Sequence, residues 1–491
     1  MTEPVLPEGI LTLKRRSDVP LAEQIYRSIR KAVQSGLLHS GSALPSTRRL
    51  AASLQVGRNT VNTAYELLRA EGITRVKSGA APRIASVMRL EGSSSSSEPG
   101  ATSPRLSGRG ELMAANIRGN GWAFRHGALQ PGTPALDCFP YEEWARSLRR
   151  AARLERSPDL QYRNFSGLPA LKKRLARYLA TERGVRAEPE QVLITSSMQA
   201  CLSLLSLALA DPGDEAWLEE PGYLGARTAF HVAGLKVRPL PVDEEGADPG
   251  KLAQLEKPPR LIYVTPSHQY PLGTRMPLAR RLALLDAARE AGAAILEDDY
   301  DSEFLFSGRP VAALQGLAGE GQVIYLGTFS KSLMPGLRIA YCVVPQGLVA
   351  SLEQFMRNMG CAANVQAQAA LEHFMDCGAY QKHLKQIRRI YEARGIALVE
   401  TLQARLGNRV DVKLPTGNVQ VALLFREPID DVSLAVAMQS KGFAVSPMSN
   451  CYLGRDAKAG LIIGFAGAQE KEMVAGIDTL SSLLENGDFS T

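Results

Sequence analysis

A lysine at the end of an apolar strand is the residue of this sequence best suited to covalent chemistry. The run VIYLGTFSK places Lys331 after Thr328 and Ser330, and Arg338 follows a Pro-Gly turn. A partly desolvated lysine has an accessible neutral, nucleophilic amine, and nearby hydroxyls and a cation suit a phosphate. The pattern therefore favours Schiff-base chemistry, and an exposed loop lysine is the alternative interpretation.

Farther upstream, another apolar strand ends in acidic residues. The run AAILEDDYDSEF places Asp298 at the strand end and Tyr300 two residues later. A carboxylate there can keep the pyridinium nitrogen of pyridoxal phosphate protonated, and a tyrosine hydroxyl can bond the phenolic oxygen of the same ring. A metal site or a solvated acidic surface is the alternative.

Two further segments could complete a site for a phosphorylated ring. A strand in QVLITSSMQACLSLLSLAL leads through Ser197 and Met198 into an apolar helix, and the free N–H groups at the helix start would form an anion pocket. The turn in EEPGYLGAR carries Tyr223, whose ring could stack on a pyridine. An ordinary turn tyrosine would have the same local sequence.

The elements that carry these residues follow a basic segment. Of 57 Lys+Arg and 50 Asp+Glu, the first 87 residues hold 13 and 6, and the remainder holds 44 of each. The net charge of +7 therefore lies in the first 87 residues. A basic module joined to a neutral body indicates that one end binds nucleic acid.

The basic segment has the pattern of three helices and a wing. Apolar residues recur at helical spacing from Leu21 to Val33, Ser46 is a candidate N-cap for a second helix, and a third helix begins at Arg58. The tight turn between the last two predicts a helix-turn-helix, whose second helix faces base edges. For DNA we expect base contacts from Arg58 and Asn59, phosphate contacts from Thr47, Arg48, Arg49 and Thr60, and a wing contact from Lys77. A solvated charged face is the alternative for any one of these arginines.

The segments PLAEQIYRSIRKAVQSGLL and LPSTRRLAASLQVGRNTVNTAYELLRAEG, with the wing, resemble the GntR-type winged helix. The strand ends described above come in the order and at the rough spacing of fold-type I aminotransferases, from about Gly127 to Glu470. With TPSHQYPLGTRMPLARR and EDDYDSEF, the whole chain looks like a MocR-type regulator, a GntR subgroup that fuses an aminotransferase-like domain to its DNA reader.

This resemblance implies pyridoxal phosphate as the cofactor and a role for each candidate. Lys331 would be the aldimine lysine, and Tyr223 would stack on the ring. Asp298 would contact the pyridinium, and Tyr300 the phenolic oxygen. The phosphate would be held by Ser197, Met198, Thr328, Ser330 and Arg338.

Two departures from catalytic aminotransferases bear on function. The run from Tyr270 to Gly273 replaces an Asn-Pro-Thr-Gly-like turn, which leaves His268 and Gln269 as candidates for the lost asparagine contact. Ile462 stands where amino-acid-processing relatives have the arginine that binds the substrate carboxylate. Losing such a buried pair costs about 2–5 kcal/mol, which argues against ordinary transamination. The effector would be an amine, an amino acid bound by another group, or pyridoxal phosphate itself.

We expect an N-terminal winged helix-turn-helix domain (α+β) over residues 1–87 and a Ser/Gly/Pro-rich flexible linker over 88–115. An α/β fold-type I aminotransferase-like domain would span 116–491, with a large subdomain over about 160–375 and a smaller C-terminal α+β subdomain over 376–491. No apolar run approaches the roughly 20 residues of a membrane span, and the six cysteines form no C-x-x-C pair, so we expect a cytoplasmic protein.

The expected function is that of a homodimeric transcriptional regulator that binds operator DNA and senses an effector at Lys331. One alternative is a catalytically active aminotransferase with an accessory DNA-binding domain. Another is a DNA-binding protein whose cofactor fold is a ligand-free dimerisation scaffold. The missing carboxylate arginine favours sensing, with at most a partial transaminase half-reaction.

Overall fold

The structure, a computed structural model, describes residue 6 and residues 10–76, 81–85, 104–116, 118, 126–153, 163–250, 257–319, 321–454 and 456–487. The chain forms two compact units, Met1–Arg105 and Leu106–Thr491, whose boundary falls in the predicted linker. None of the helices in these ranges is both long and apolar enough to cross a membrane.

The first unit consists of three helices and a short hairpin: α1 (Leu21–Gln34), α2 (Thr47–Leu54), α3 (Arg58–Ala70), β1 (Thr74–Arg75) and β2 (Arg83–Ile84). The Ser46 hydroxyl accepts a hydrogen bond from the backbone N–H of Arg49 and caps α2, as the sequence predicts. Gln55 then ends α2 in the left-handed conformation, and α3 starts three residues later. The predicted helix-turn-helix is confirmed.

These three helices share a core made of the apolar residues that recur at helical spacing. Ile25 and Ile29 of α1 belong to the same buried cluster as Val61 and Leu68 of α3. Strands β1 and β2 pair antiparallel, which is the predicted wing. The wing turn, with Lys77, lies outside the described residues.

The predicted linker over 88–115 ends in a helix, which differs from the expectation of flexible chain. Gly108–Ala114 form α4, and the Ser107 hydroxyl caps it by accepting a hydrogen bond from Gly110 N at 3.1 Å. The helix contacts α8 (Leu224–Val232), and Asn116 Oδ1 accepts a hydrogen bond from the Thr228 hydroxyl at 3.2 Å. Serine capping and this contact stabilise a helix that the polar composition of the segment concealed.

The second unit is built on an eight-stranded mixed sheet. Its strands are β3 (Val192–Thr195), β4 (Glu215–Glu220), β5 (Lys236–Asp243), β6 (Gly246–Ala247), β7 (Leu261–Val264), β8 (Ala294–Asp298), β9 (Val323–Thr328) and β10 (Ala340–Val343), in the order β3-β10-β9-β8-β7-β4-β5-β6. The helices of this part are α5 (Tyr141–Ala152), α6 (Pro169–Arg183), α7 (Met198–Leu209), α8, α9 (Leu278–Glu290), α10 (Leu314–Leu317), α11 (Val349–Met359) and α12 (Val365–Asp376).

The parallel strands of this sheet set the position of the candidate site. Strands β5, β4, β7, β8 and β9 are parallel neighbours, whereas β6 and β10 run antiparallel. The carboxyl ends of β4, β7, β8 and β9 therefore lie at one edge, where ligands bind in open α/β sheets. Asp298 and Thr328 are the last residues of β8 and β9.

A smaller four-stranded antiparallel sheet completes the unit. It has the order β11 (Val410–Val412), β12 (Gln420–Phe425), β14 (Gly460–Gly464), β13 (Ser446–Pro447), and it is accompanied by α13 (Ala379–Leu406), α14 (Asp431–Ser440) and α15 (Glu470–Asn486). Leu398 and Leu402 of α13 and Ile477 and Leu480 of α15 are fully buried in the main core cluster. A winged helix-turn-helix followed by an α/β domain with a smaller α+β part is the predicted fold class, which is confirmed.

Candidate cofactor site and recognition helix

Lys331 lies just after β9 and has a defined partner. Its Nζ donates a hydrogen bond to the carbonyl oxygen of Gly132 at 2.8 Å. Gly132 has a φ of +72°, and a Cβ at this position would collide with the lysine amine. Burial holds the pKa of Lys331 below its ordinary value, although the charges of Asp301 and Asp298 oppose this. A lowered pKa makes the neutral, nucleophilic amine more accessible.

Asp298 is a buried acid with one unsatisfied oxygen. Its Oδ2 accepts a hydrogen bond from the Tyr263 hydroxyl at 2.5 Å, and among the described residues its Oδ1 has no partner. Burial raises the pKa of Asp298 to about 7, the Tyr263 hydrogen bond lowers it, and the nearby charges of Asp299 and Asp301 raise it further. A protonated ring nitrogen at Oδ1 would satisfy both the missing bond and the buried charge.

Four tyrosine rings form a connected group that reaches Asp298 through Tyr263. Tyr223, the N-cap of α8, stacks on Tyr263 with 6.3 Å between ring centroids. Tyr270 lies edge-on to Tyr223 at 5.4 Å and to Tyr300 at 6.3 Å. The buried Tyr300 hydroxyl lacks a hydrogen-bond partner in the described part of the chain. An aromatic wall with an unused hydroxyl fits a flat ring that carries a phenolic oxygen.

The segments predicted to bind a phosphate converge at the same sheet edge. Strand β10 lies between β3 and β9, and Ala340 is paired with Thr195 on one side and Thr328 on the other. Ser197, at the start of α7, follows Thr195 by two residues, and Arg338 precedes Ala340 by two. The strand register therefore brings together residues that are far apart in the sequence.

The polar groups at this edge are arranged as an anion site would require. Ser197 caps α7 by accepting a backbone N–H hydrogen bond at 3.1 Å, and Met198 is the first residue of that helix. The Thr328 hydroxyl donates to Ser330 Oγ at 3.0 Å and accepts from Ser330 N at 3.2 Å. Arg338 is exposed, and within the described ranges its side chain has neither an ion pair nor a hydrogen bond. An unpaired cation beside a helix start and two hydroxyls suits a phosphate.

The residues that follow Asp298 are held by a separate polar network. Asp299 accepts hydrogen bonds from Arg183 Nε at 2.6 Å and from the Tyr325 hydroxyl at 2.6 Å. Burial would raise the pKa of Asp299, but the Arg183 charge and these hydrogen bonds hold it below its ordinary value. Asp301 pairs with His268 Nδ1 at 2.8 Å. Of these three acids, Asp298 therefore lies at the candidate site, whereas Asp299 and Asp301 are held by side-chain partners from other segments.

The two proposed substitutes for the lost asparagine differ in their hydrogen bonds: among the described residues the buried His268 Nε2 has no partner, whereas both amide atoms of the Gln269 side chain are bonded. His268 is bonded to Asp301, and Gln269 Nε2 donates to the Pro221 carbonyl at 2.7 Å. Tyr270, from the same turn, places its ring against Tyr223 instead. Gln269 is therefore a poor candidate for this contact, His268 remains a candidate through its Nε2, and Tyr270 is a further one.

Ile462 is buried in an apolar cluster, with 1% of its surface exposed. Met448 and Cys451 belong to this cluster, and Tyr270 packs against it. Because Tyr270 also contacts Tyr223, the cluster adjoins the aromatic wall. The side chain that stands in place of a carboxylate-binding arginine thus contributes an apolar surface there.

Three residues that position the site were missed in the sequence: Gly132, Tyr263 and Arg183. Tyr263 gave a signal, because it is a polar side chain in a fully buried strand. The other two gave none, since Gly132 lies 199 residues from Lys331 and Arg183 lies 116 residues from Asp299.

In the first unit, the predicted DNA-contacting residues lie at the starts of α2 and α3. Arg58 Nε donates a hydrogen bond to Thr47 Oγ1 at 3.5 Å, which joins the two helix starts. Asn59 is exposed and Thr60 partly so, and Arg48 and Arg49 are exposed on α2. Lys77 lies outside the described residues, so its placement stays a prediction.

Both units of the chain match known protein families. Residues 131–480 match the model of aminotransferase class I and II, and residues 21–84 match that of bacterial regulatory proteins of the gntR family. The fold and these matches define a transcriptional regulator that joins a DNA-binding winged helix to an aminotransferase domain.

Two similar proteins narrow the class of regulator to which the chain belongs. The probable rhizopine catabolism regulatory protein MocR of Rhizobium meliloti is 39% identical over 96% of this chain and 95% of its own length. The pyridoxine biosynthesis transcriptional regulator PdxR of Corynebacterium glutamicum is 29% identical over 94% of this chain and 95% of its own. The chain belongs to the MocR-type regulators of the GntR family, as its motifs predict.

A solved structure supports the fold of the second unit. The α-aminoadipate aminotransferase of Thermus thermophilus, complexed with N-(5'-phosphopyridoxyl)-L-leucine, has a TM-score of 0.71 and 28% identity. It covers 78% of this chain and 97% of its own. The second unit therefore has the fold of aminotransferases that use pyridoxal phosphate.

Proposed function

We propose that this regulator binds pyridoxal phosphate at Lys331 and that an effector amine, or occupancy by the cofactor itself, changes its affinity for operator DNA. The observation that carries the proposal is the presence of a partly buried lysine and a buried acid in one site. Lys331 has a lowered pKa, and Asp298 has a raised pKa and an unsatisfied oxygen. Such opposed shifts in one site are typical of groups adapted for binding or chemistry.

The proposed contacts assign one role to each group. Asp298 would hold the ring nitrogen, Tyr300 the phenolic oxygen, and Tyr223 would cover one face of the ring. The phosphate would be held by Ser197, Met198, Thr328, Ser330 and Arg338. When bound, the cofactor supplies a carbonyl carbon that reacts with primary amines.

The residues of the chain would control the protons at this site. The Tyr263 hydroxyl orients Asp298 and favours its ionised form, which would keep a ring nitrogen protonated. The Gly132 carbonyl positions the Lys331 amine from the other side. With both groups fixed before any ligand arrives, little reorganisation would accompany binding.

Ile462 supports an effector without an α-carboxylate. A carboxylate placed against the Met448 and Cys451 cluster would lose its solvation without gaining a charged partner. An amine, or an amino acid whose carboxylate is bound elsewhere, would avoid this cost. We propose that this is what distinguishes the site from that of an ordinary aminotransferase.

On DNA, we propose that a homodimer places two copies of α3 in the major groove of paired half-sites. Arg58 and Asn59 would read bases, and Thr47, Arg48, Arg49 and Thr60 would contact phosphates. Lys77 would add a wing contact. Two linked heads bind paired sites more tightly than either does alone.

Catalytic transamination with an accessory DNA reader is the second candidate function. It is favoured by the likeness of the second unit to a working aminotransferase over 97% of that enzyme. Ile462 argues against it for common α-amino acids.

One set of measurements separates these proposals. The full chain mixed with pyridoxal phosphate should show the visible absorbance band of the lysine-bound cofactor. Lys331→Ala should abolish the band, whereas Lys385→Ala, an exposed lysine on α13, should leave it unchanged. The absence of a band in the wild type would overturn the proposal. Steady turnover of an amino acid with a keto acid would favour the enzyme.

A further inference from the structure

A cavity of about 300 Å³ lies away from the residues proposed to hold the cofactor. Its walls come from α6, α9, α13 and the segments that follow β7 and β8. Neither Lys331 nor any residue assigned above to the cofactor lines it. The cavity is therefore distinct from the cofactor site.

Four arginine side chains line this cavity, and two of them have carboxylate partners. Arg183 Nε lies 2.6 Å from Asp299 Oδ2. Arg281 Nη1 lies 3.7 Å from Glu297 Oε1, and the Arg281 guanidinium also donates hydrogen bonds to three backbone carbonyls. The charges of these two guanidinium groups are therefore balanced within the protein.

The other two arginines, Arg275 and Arg388, have only carbonyl partners. Arg275 donates to the carbonyl oxygens of Ser307 at 3.4 Å and Arg309 at 2.8 Å. Arg388 Nε donates to the carbonyl oxygen of Glu303 at 2.9 Å. In the part of the chain that the structure describes, neither guanidinium has a carboxylate within ion-pair distance. Burial and the nearby Arg183 charge hold the pKa of Arg275 below its ordinary value, as expected for an uncompensated cation.

The loop beside Arg275 is shaped around its guanidinium. Gly308 has a φ of +86°, and a Cβ there would approach Arg275 Nη1 to 2.8 Å. With the carbonyls of Ser307 and Arg309 on either side of this glycine, the loop holds Arg275 in place at the cavity wall. Arg275 is thus positioned before any ligand is present.

Two acids, Glu182 and Glu303, also line the wall of the cavity. Glu182 is exposed. Burial, together with the charges of Asp299 and Asp301, raises the pKa of Glu303 to about 8. Burial therefore disfavours the ionised form of Glu303. Among the residues that line the cavity, four arginines therefore stand against two glutamates, one of which is disfavoured in its charged form.

We propose that this cavity binds a small metabolite through an oxyanion group, a phosphate ester or a carboxylate, held between Arg275 and Arg388. The planar guanidinium fork binds both oxyanions in a bidentate way. The volume is at the lower end of the range for small-molecule sites. His268 lines the cavity and is hydrogen-bonded to Asp301. The charge of Asp301 raises the pKa of Lys331, so these two residues connect an anion in the cavity with the cofactor site.

Isothermal titration of the full chain with inorganic phosphate, and separately with glutarate, tests this site. Arg388→Ala should weaken binding of the preferred anion by about tenfold or more. Arg388→Lys, which keeps the charge but loses the fork, should fall between it and the wild type. Arg389→Ala removes the adjacent exposed arginine of α13, which does not line the cavity, and should bind as the wild type does. The stronger of the two titrations would identify the anion as phosphate-like or carboxylate-like.

The same titration in Arg338→Ala separates this cavity from the proposed cofactor phosphate site. A binding event that survives Arg338→Ala and is lost in Arg388→Ala supports the proposal, whether or not the cofactor binds at Lys331. The proposal is overturned if neither anion binds, if Arg338→Ala alone removes binding, or if Arg389→Ala weakens binding as much as Arg388→Ala does.

Discussion

The residues proposed to read DNA and those proposed to hold the cofactor differ in their surroundings. Arg58 and Asn59 are exposed at the start of a helix. Asp298 is 3% exposed and has a pKa raised to about 7. Exposed functional groups cost the fold little, whereas a buried acid that awaits a partner costs it stability. The residues proposed to read DNA therefore cost the folded protein little stability, whereas the buried acid of the cofactor site costs it more.

The largest effect on cofactor binding should come from the buried acid. Asp298→Ala should weaken pyridoxal phosphate binding by about 30-fold or more, equivalent to about 2 kcal/mol, because the ring nitrogen loses its charged partner. Absorbance titration measures this. Asp286→Ala, which replaces an exposed acid on α9, is the control. Equal cofactor affinities of the two variants would contradict the proposed role of Asp298.

A new buried charge should also be costly. Ile462→Arg should lower the free energy of unfolding by about 2–3 kcal/mol, because its guanidinium would enter the apolar cluster of Met448 and Cys451 unpaired. An amino acid with an α-carboxylate should restore part of that loss. Ile462→Leu, with similar volume, should cost less than about 1.5 kcal/mol in the same denaturation experiment. An arginine variant as stable as the wild type would show that the position is solvated.

At the exposed end, Arg58→Ala should weaken specific DNA binding by about 1–3 kcal/mol without lowering stability. Gel-shift titration and thermal unfolding measure the two effects. Arg69→Ala, in the last turn of the same helix, should bind as the wild type does. Unchanged affinity in Arg58→Ala would mean that another part of α3 faces the bases.

The cost of the buried acid should depend on pH. Because the pKa of Asp298 is raised in the folded protein, its protonated form favours folding, and that contribution is lost as the pH rises through about 7. In the cofactor-free protein, Asp298→Asn should match the wild type near pH 4 and be more stable near pH 8, by on the order of 2 kcal/mol. Denaturant titrations at both values measure this, and a pH-independent difference would contradict the buried-acid interpretation.

The smallest effect concerns the capping of α2. Ser46→Ala should lower stability by about 1 kcal/mol, because the Arg49 N–H loses its acceptor. Ser53→Ala, in the same helix, should be neutral or slightly stabilising, since its hydroxyl only donates to the Leu50 carbonyl. Equal losses in both variants would argue against the cap.

The difference between contacts within a few residues and contacts between distant segments explains which features could be predicted from the sequence. Ser46, Gly57 and the apolar spacing of α3 act within a few residues, so the helix-turn-helix could be predicted with its boundaries. The apolar strands that end at Asp298 and Thr328 could also be recognised from the local sequence. Helix α4 was missed because its capping serine lies in a segment of linker-like composition.

The remaining contacts of the candidate site could not be predicted from local patterns. The Tyr263 hydrogen bond to Asp298 depends on which strands are neighbours, and no spacing in one sequence gives that order. The Arg183 contact to Asp299 and the Gly132 contact to Lys331 join distant segments in the same way. The difference between Gln269, whose amide is fully bonded, and His268, whose Nε2 has no partner among the described residues, could not be seen in the sequence.

The contact between Lys331 and Gly132 also bears on the order in which the two units of the chain fold. Loop closure across 199 residues is slow compared with helix formation, so the lysine amine gains its carbonyl partner late. Tyr391 of α13 joins the same event, since its hydroxyl accepts a hydrogen bond from Ala135 N and donates one to the Lys331 carbonyl. The winged helix, whose contacts are local, can form long before. During synthesis a chain would therefore possess its DNA-reading surface while the lysine site is still incomplete.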